Sequence, residues 1–205
     1  MQEFLRATDV VDWTNPRIAG LAIELQGQDV EATARNCFEF VRDEVHHSGD
    51  AQNGAATCVA SDVLEYRTGY CYAKSHLLAA LLRANGIPAG FCYQRLSVDD
   101  VGRRFCLHGL NAVYLGSEGW RRVDPRGNKP GIDVQFDPPD LRLAFEPKIL
   151  GEFDFESILP DPLDCVTAAL RNSGDWKDVL ERLPDVRPED FGMFGLIVRR
   201  RTARG

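Results

Sequence analysis

The chain has 205 residues, 44% of them hydrophobic and 27% charged, and carries a net charge of −7. That negative surplus excludes nonspecific nucleic-acid binding, which needs a basic surface to neutralise phosphates. The length suits one well-packed domain, and no apolar stretch approaches a membrane span. The six cysteines, at 37, 58, 71, 92, 106 and 165, form no C-x-x-C pair. The opening Met1-Gln2-Glu3-Phe4-Leu5-Arg6 has no basic segment followed by an apolar one, so no signal peptide is visible and reduced thiols in a cytoplasmic protein are the expectation.

Taken in order, the chain begins with helices. A short one is predicted to start near Asn15-Pro16, because proline suits the first helical position. Asp29 then caps a stronger helix, along which Val30, Ala34, Cys37, Phe38, Val41 and Val45 recur at helical spacing. His46 to Ala55 reads as loop, and a further short helix covers Ala60 to Tyr66. Gly69 interrupts the chain before Tyr70-Cys71, and Leu77, Leu78, Leu81 and Leu82 mark a buried helix closed by Asn85-Gly86 and Pro88. After Pro88 the period changes to two. Ala89 to Val98, Arg104 to Leu115 and Trp120 to Asp124 read as strands, separated by turns at 99–102 and 116–119. A further strand is expected over Ile132 to Phe136, ended by Pro138-Pro139. Helices near Leu163 to Arg171 and Trp176 to Leu183 follow, and the basic end from Arg199 to Arg204 reads as a solvated tail. Helices first and an antiparallel meander afterwards is the pattern of an α+β domain.

Three residues in this order carry chemistry. Cys71 falls in the first turn of its helix, where free backbone N–H groups and the helix dipole stabilise a thiolate. A buried thiol is also an ordinary core residue, but this one precedes the apolar run and does not lie within it. A nucleophilic cysteine needs a base, and the base needs an orienting group. Of the four histidines, His76 lies five residues along the Cys71 helix and turns away from it, and His46 and His47 lie in a loop. His108 lies within the second strand, and Asp124 ends the next one before Pro125. A strand histidine is commonly structural, and an aspartate before proline commonly forms a turn. Together with Cys71 they supply the parts of a Cys-His-Asp triad.

Hairpin geometry sets the condition for His108 and Asp124 to meet, since strand side chains alternate between faces. A two-residue turn would oppose Asp124 to Asn111 and put His108 on the other face, leaving Asn111 as the next candidate to orient the histidine. A three-residue turn, Gly116-Ser117-Glu118, opposes Asp124 to Leu110 and makes it a diagonal neighbour of His108. The second is the expectation.

Gly69-Tyr70-Cys71 running into Leu-Leu-Ala-Ala-Leu-Leu-Arg-Ala-Asn-Gly-Ile-Pro-Ala, then a strand histidine, then Trp-Arg-Arg-Val-Asp-Pro, resembles the transglutaminase-like superfamily over roughly residues 30 to 145. The resemblance implies a papain-like α+β fold, with Cys71 matching the nucleophile, His108 the base and Asp124 the orienting carboxylate. One position departs: many members follow the histidine with Ala-Trp, whereas Gly109-Leu110 stands here. The family includes transglutaminases, peptidases, amidases and members without activity. The expectation is therefore a cysteine hydrolase of peptides or other amides acting through a thioester, with transamidation or a non-catalytic binding role as alternatives. The Cys71 N–H is one expected oxyanion donor, with His47 or Asn53 as candidates for the second. Metal binding through Cys106 and His108 is the rival chemistry, but no other pair has close ligand spacing. No cofactor, nucleic acid or membrane partner is expected. The chain is expected to form one domain over 1–205, with a core of about 30–145 and a C-terminal appendage of about 146–205.

Overall fold

The computed structural model describes residues 1–99, 101–136 and 142–198. Asp100 in the first expected turn, Pro138-Pro139 and the basic end from Arg199 lie outside the described residues.

The first helix, α1 (Pro16–Glu24), is capped by Asn15, whose side chain accepts the Arg17 N–H. In α2 (Val30–Glu44), the Asp29 carboxylate accepts the Ala32 N–H at 2.8 Å. Both caps satisfy donors that the first helical turn leaves without partners. Ala34, Cys37, Phe38, Val41 and Val45 are buried as their spacing requires, but Val30, at the first helical position, is exposed. Residues 46–55, read as loop, contain a two-residue strand β1 (His46–His47) and a short helix α3 (Ser48–Ala51). β1 forms because α4 (Ala60–Tyr66) returns the chain beside it as β2 (Thr68–Gly69), and the two pair in parallel, His47 opposite Gly69. No local pattern announces such a pairing.

β2 leads directly into α5 (Cys71–Ala84), buried from Cys71 to Arg83 and packed against α1, α2, α4 and the sheet. A helix covered on every side must satisfy its polar side chains internally. Lys74 donates to the Arg42 and Val45 carbonyls at the end of α2, and His76 to the Cys58 carbonyl at 2.7 Å. Arg83 donates to the carbonyls of Ala89, Arg6 and Pro160. These bonds fix the helix in rotation and along its axis.

The sheet consists of β3 (Ala89–Ser97), β4 (Phe105–Tyr114), β5 (Trp120–Val123) and β6 (Phe153–Asp154), in the order β5-β4-β3-β6 with antiparallel neighbours. The α+β class stands. Residues 132–136 do not form the expected strand. Their alternation is real, with Val134 and Phe136 buried and Asp133 exposed, but only isolated backbone bridges form, Ile132 with Lys129 and Gln135 with Arg142, and side chains serve Val134. The Val134 N–H donates to Asn128 Oδ1 and its carbonyl accepts from Arg42, while Phe136 packs on Phe38. An extended segment lying on a helix shows the same period as a strand.

The C-terminal part supplies β6, α6 (Asp164–Arg171) and α7 (Trp176–Glu181). Phe155, Val166, Leu170, Val179 and Phe191 are buried in the same hydrophobic cluster as α2 and α5. No described helix is long and apolar enough to cross a membrane.

Candidate active site

The hairpin between β4 and β5 turns on Gly116–Glu118, with Leu115 N–H bonded to the Gly119 carbonyl at 2.9 Å and positive φ at Gly116 and Gly119. Asn111 pairs with Val123, so Asp124 stands opposite Leu110. His108 and Asp124 consequently leave one face, and His108 Nε2 lies 2.7 Å from Asp124 Oδ2. Asn111 leaves the other face and donates to the Ser75 and Gly90 carbonyls, which removes it from contention as the orienting group.

Both members of the pair are buried. Asp124 accepts three hydrogen bonds: from His108, from the Ala144 N–H at 3.0 Å and from the Arg126 N–H at 3.1 Å. Burial alone would raise its pKa, but the charge and hydrogen bond of His108, with the two backbone donors, lower it on balance. Burial would likewise lower the pKa of His108, but Asp124 and the Cys71 sulfur raise it. The structure thus favours an imidazolium held between a carboxylate and a sulfur. With Nε2 taken by Asp124, Nδ1 is the ring nitrogen left to serve Cys71, whose sulfur raises the His108 pKa. Phe145 stands edge-on to the His108 ring at 5.0 Å.

Cys71 is the first residue of α5, and the Tyr70 side chain makes no capping bond, so the N–H groups of the first turn face the site unclaimed by it. Among the described residues no strand pairs with β4 on that side beyond Val123, and the Gly109 N–H donates to Cys71 Sγ at 3.5 Å. The glycine permits this approach. A Cβ at 109 would lie 2.9 Å from Tyr72 Cδ1 and 3.3 Å from Tyr72 Cα. The Tyr72 side chain, tied by its hydroxyl to the Leu107 carbonyl, occupies the space an alanine would need. Gly109→Ala is expected to push β4 off α5, costing about 1–3 kcal/mol and slowing alkylation of Cys71. Calorimetry and a labelling time course check it, and an unchanged melting temperature would remove the steric argument.

Cys71, His108, His47, Tyr70, Arg126 and Phe145 share the wall of a cavity of about 380 Å³. His76 takes no part: it is buried on Cys58 and Phe91, and burial lowers its pKa to about 4. Asn53 is exposed and His46 is too. Cys106 lines the cavity, but among the described residues no group of three or more His, Cys, Asp or Glu is placed to hold a metal ion. Sequence reasoning missed the Gly109 N–H, Arg126 and the 144–145 segment, all brought to the site by folding without a local signal.

A family model for the transglutaminase-like superfamily matches residues 19–125, somewhat more than half of the chain. No curated protein matches. Among solved structures, a candidate cysteine protease from Cytophaga hutchinsonii is 22% identical with a TM-score of 0.47, over 60% of this chain and 40% of that one. The periplasmic domain of TgpA from Pseudomonas aeruginosa is 24% identical with a TM-score of 0.43, over 54% of this chain and 42% of that one. The same domain bound to ethylmercury is 26% identical with a TM-score of 0.41, over 54% and 44%. This chain therefore spans less than half the length of each of these structures.

Proposed function

This chain belongs to the transglutaminase-like superfamily, and from that premise we propose that it is a cysteine hydrolase of peptide or other amide bonds. Cys71 is the nucleophile, His108 the acid and base, and Asp124 the orienting carboxylate. The observation that carries this reading is the 2.7 Å hydrogen bond between Asp124 and His108, with His108 sharing a cavity wall with a cysteine at a helix N-terminus.

The geometry supports these roles. The thiolate of Cys71 attacks the amide carbonyl carbon, and the carbonyl π pair moves onto oxygen. The Cys71 N–H meets that charge as it develops. The oxyanion collapses, the C–N bond breaks, and the His108 imidazolium gives its proton to the departing amine. A thioester on Cys71 remains. Water, deprotonated by His108, then displaces the sulfur and releases the acid, restoring the thiolate and imidazolium. We take residues 1–205 as one functional unit, acting in the cytoplasm, where the six unpaired thiols stay reduced.

Thiol reactivity tests the reading. Burial raises the pKa of Cys37 and Cys106 to about 12 and of Cys92 to about 11, and raises those of Cys58 and Cys165. Iodoacetamide near pH 6 is therefore expected to modify Cys71 at least about a hundredfold faster than any other cysteine. Peptide mapping reads the order, and intact mass after incubation with amide substrates reads the thioester. Uniform labelling, or labelling that begins elsewhere, would remove Cys71 from its role.

A further inference from the structure

The proposed chemistry leaves one oxyanion donor unassigned. A backbone N–H alone is half of the arrangement that usually serves acyl transfer, and the cavity wall holds few other groups free to donate. The Tyr70 hydroxyl donates to the Trp176 carbonyl at 2.8 Å. Arg126 is engaged by Asp50, with contacts of 2.7 and 3.0 Å from its two terminal nitrogens.

His47 differs from both. The parallel pairing of β1 with β2 sets it opposite Gly69, two residues before Cys71, at a strand spacing of about 4.8 Å. Its ring packs edge-on to Tyr70 at 5.2 Å and lines the cavity of Cys71 and His108. Its Nδ1 accepts the Asp50 N–H at 3.3 Å, capping α3. The Asp50 carboxylate, 3.7 Å from Nδ1, is too far to accept a hydrogen bond from it. A neutral imidazole that accepts at Nδ1 must carry its proton on Nε2. Nε2 has no hydrogen-bond partner among the described residues and is not among the sealed, unsatisfied atoms of the interior.

We infer that His47, as the Nε2–H tautomer, is a second oxyanion donor beside the Cys71 N–H. The charges around it hold that state. Burial, then Arg126, Lys74 and His108, lower the pKa of His47 against the opposing pull of Asp50. The ring therefore stays neutral while His108 is charged. One histidine moves protons and the other holds its proton still, because His108 is bonded to a carboxylate while burial, with nearby cations, keeps His47 neutral.

The inference rests on Cys71 being the acylated nucleophile, and two substitutions separate the ring's two nitrogens. His47→Asn keeps an acceptor near the place of Nδ1, preserving the cap of α3, and removes the distal donor. His47→Gln places an amide N–H near the place of Nε2. Each variant is compared with the parent for alkylation by iodoacetamide, which develops no oxyanion, and for acylation by p-nitrophenyl acetate, which does. His47→Asn is expected to alkylate within about threefold of the parent and to acylate about a hundredfold more slowly. His47→Gln is expected to recover acylation to within about tenfold of the parent. Acylation of His47→Asn at the parental rate overturns the inference. So does an equal loss of alkylation and acylation, which marks a purely structural residue, and so does a glutamine variant as slow as the asparagine one. A parent protein that p-nitrophenyl acetate does not acylate at Cys71 would instead overturn the proposed function, and this inference with it.

Discussion

Replacing Asp124 with asparagine is expected to lower kcat by up to about four orders of magnitude, the loss found where the carboxylate of a serine-nucleophile triad is amidated. The carboxylate fixes the tautomer of His108 by accepting from Nε2, which leaves Nδ1 to exchange the proton with Cys71. An amide that turns its NH₂ toward the ring reverses the tautomer, so that Nδ1 can no longer accept. The amide has a second difficulty. Three donors converge on Asp124, from His108, Arg126 and Ala144, and one amide oxygen cannot satisfy them without setting its own NH₂ against an N–H. The expected stability loss is about 1–3 kcal/mol.

That loss depends on pH in a way fixed by the two shifts. His108 has a raised pKa, about 10 in the folded protein, because Asp124 and Cys71 outweigh its burial. Its contribution is complete below the unfolded imidazole value of about 6.5 and fades as pH rises through the folded value. Asp124 has a lowered pKa, because His108 and the backbone donors outweigh its burial. Its contribution is complete above the unfolded carboxyl value of about 3.9 and fades as pH falls through the folded value. The stability difference between the parent and Asp124→Asn should therefore be widest from about pH 4 to 6.5 and shrink on both sides. Denaturant titrations at several pH values measure it. A difference flat from acid to alkaline pH, or turnover within tenfold of the parent, would show that the pair does not act as described.

His108→Ala is expected to reduce turnover by about 10⁴-fold or more, since it removes both the base and the acid. Fast alkylation of Cys71 should move to higher pH, because the positive partner of the thiolate is gone. The substitution also strands the Asp124 carboxylate in the interior with only the Arg126 and Ala144 N–H donors. Leaving a buried charge unpaired costs about 3–5 kcal/mol. The double variant His108→Ala/Asp124→Asn should accordingly be more stable than His108→Ala alone, with an interaction energy in the double-mutant cycle of about 1–3 kcal/mol. Additive effects would mean that the two side chains are not energetically coupled, despite their separation of 2.7 Å.

Much of this site was legible because local chemistry imposes it. The apolar run after Cys71 requires a buried helix, and Gly69 before it and Gly86 after it fix where that helix starts and ends. The alternation of 104–115 and 120–124 narrowed the pairing to two registers, and the glycines around the turn favoured the one that the structure shows. Val30 shows the limit even here: its spacing fits the stripe of α2, but the first turn projects past the core. The strand expected over 132–136 failed for a related reason. Period two reports burial on one side of an extended chain and does not report what satisfies its backbone, which for Val134 is Asn128 and Arg42 and for Ile132 and Gln135 is an isolated backbone bridge.

The sequence by itself determined the α+β class, the placing of Cys71 at a helix start and the face shared by His108 and Asp124. Each depends on periodicity within single elements and on the turns between adjacent ones, which are written in the chain. Only the tertiary structure decided the pairing of β1 with β2, which turns one of two apparent loop histidines, His47, into both a helix cap and part of the cavity wall. It alone brought the Ala144 N–H to Asp124, set Phe145 edge-on to His108 and set Gly109 against Tyr72. Those contacts join segments that are distant in the chain, and the packing of α5 between helices and sheet selects them. No single segment carries a pattern that records its partner.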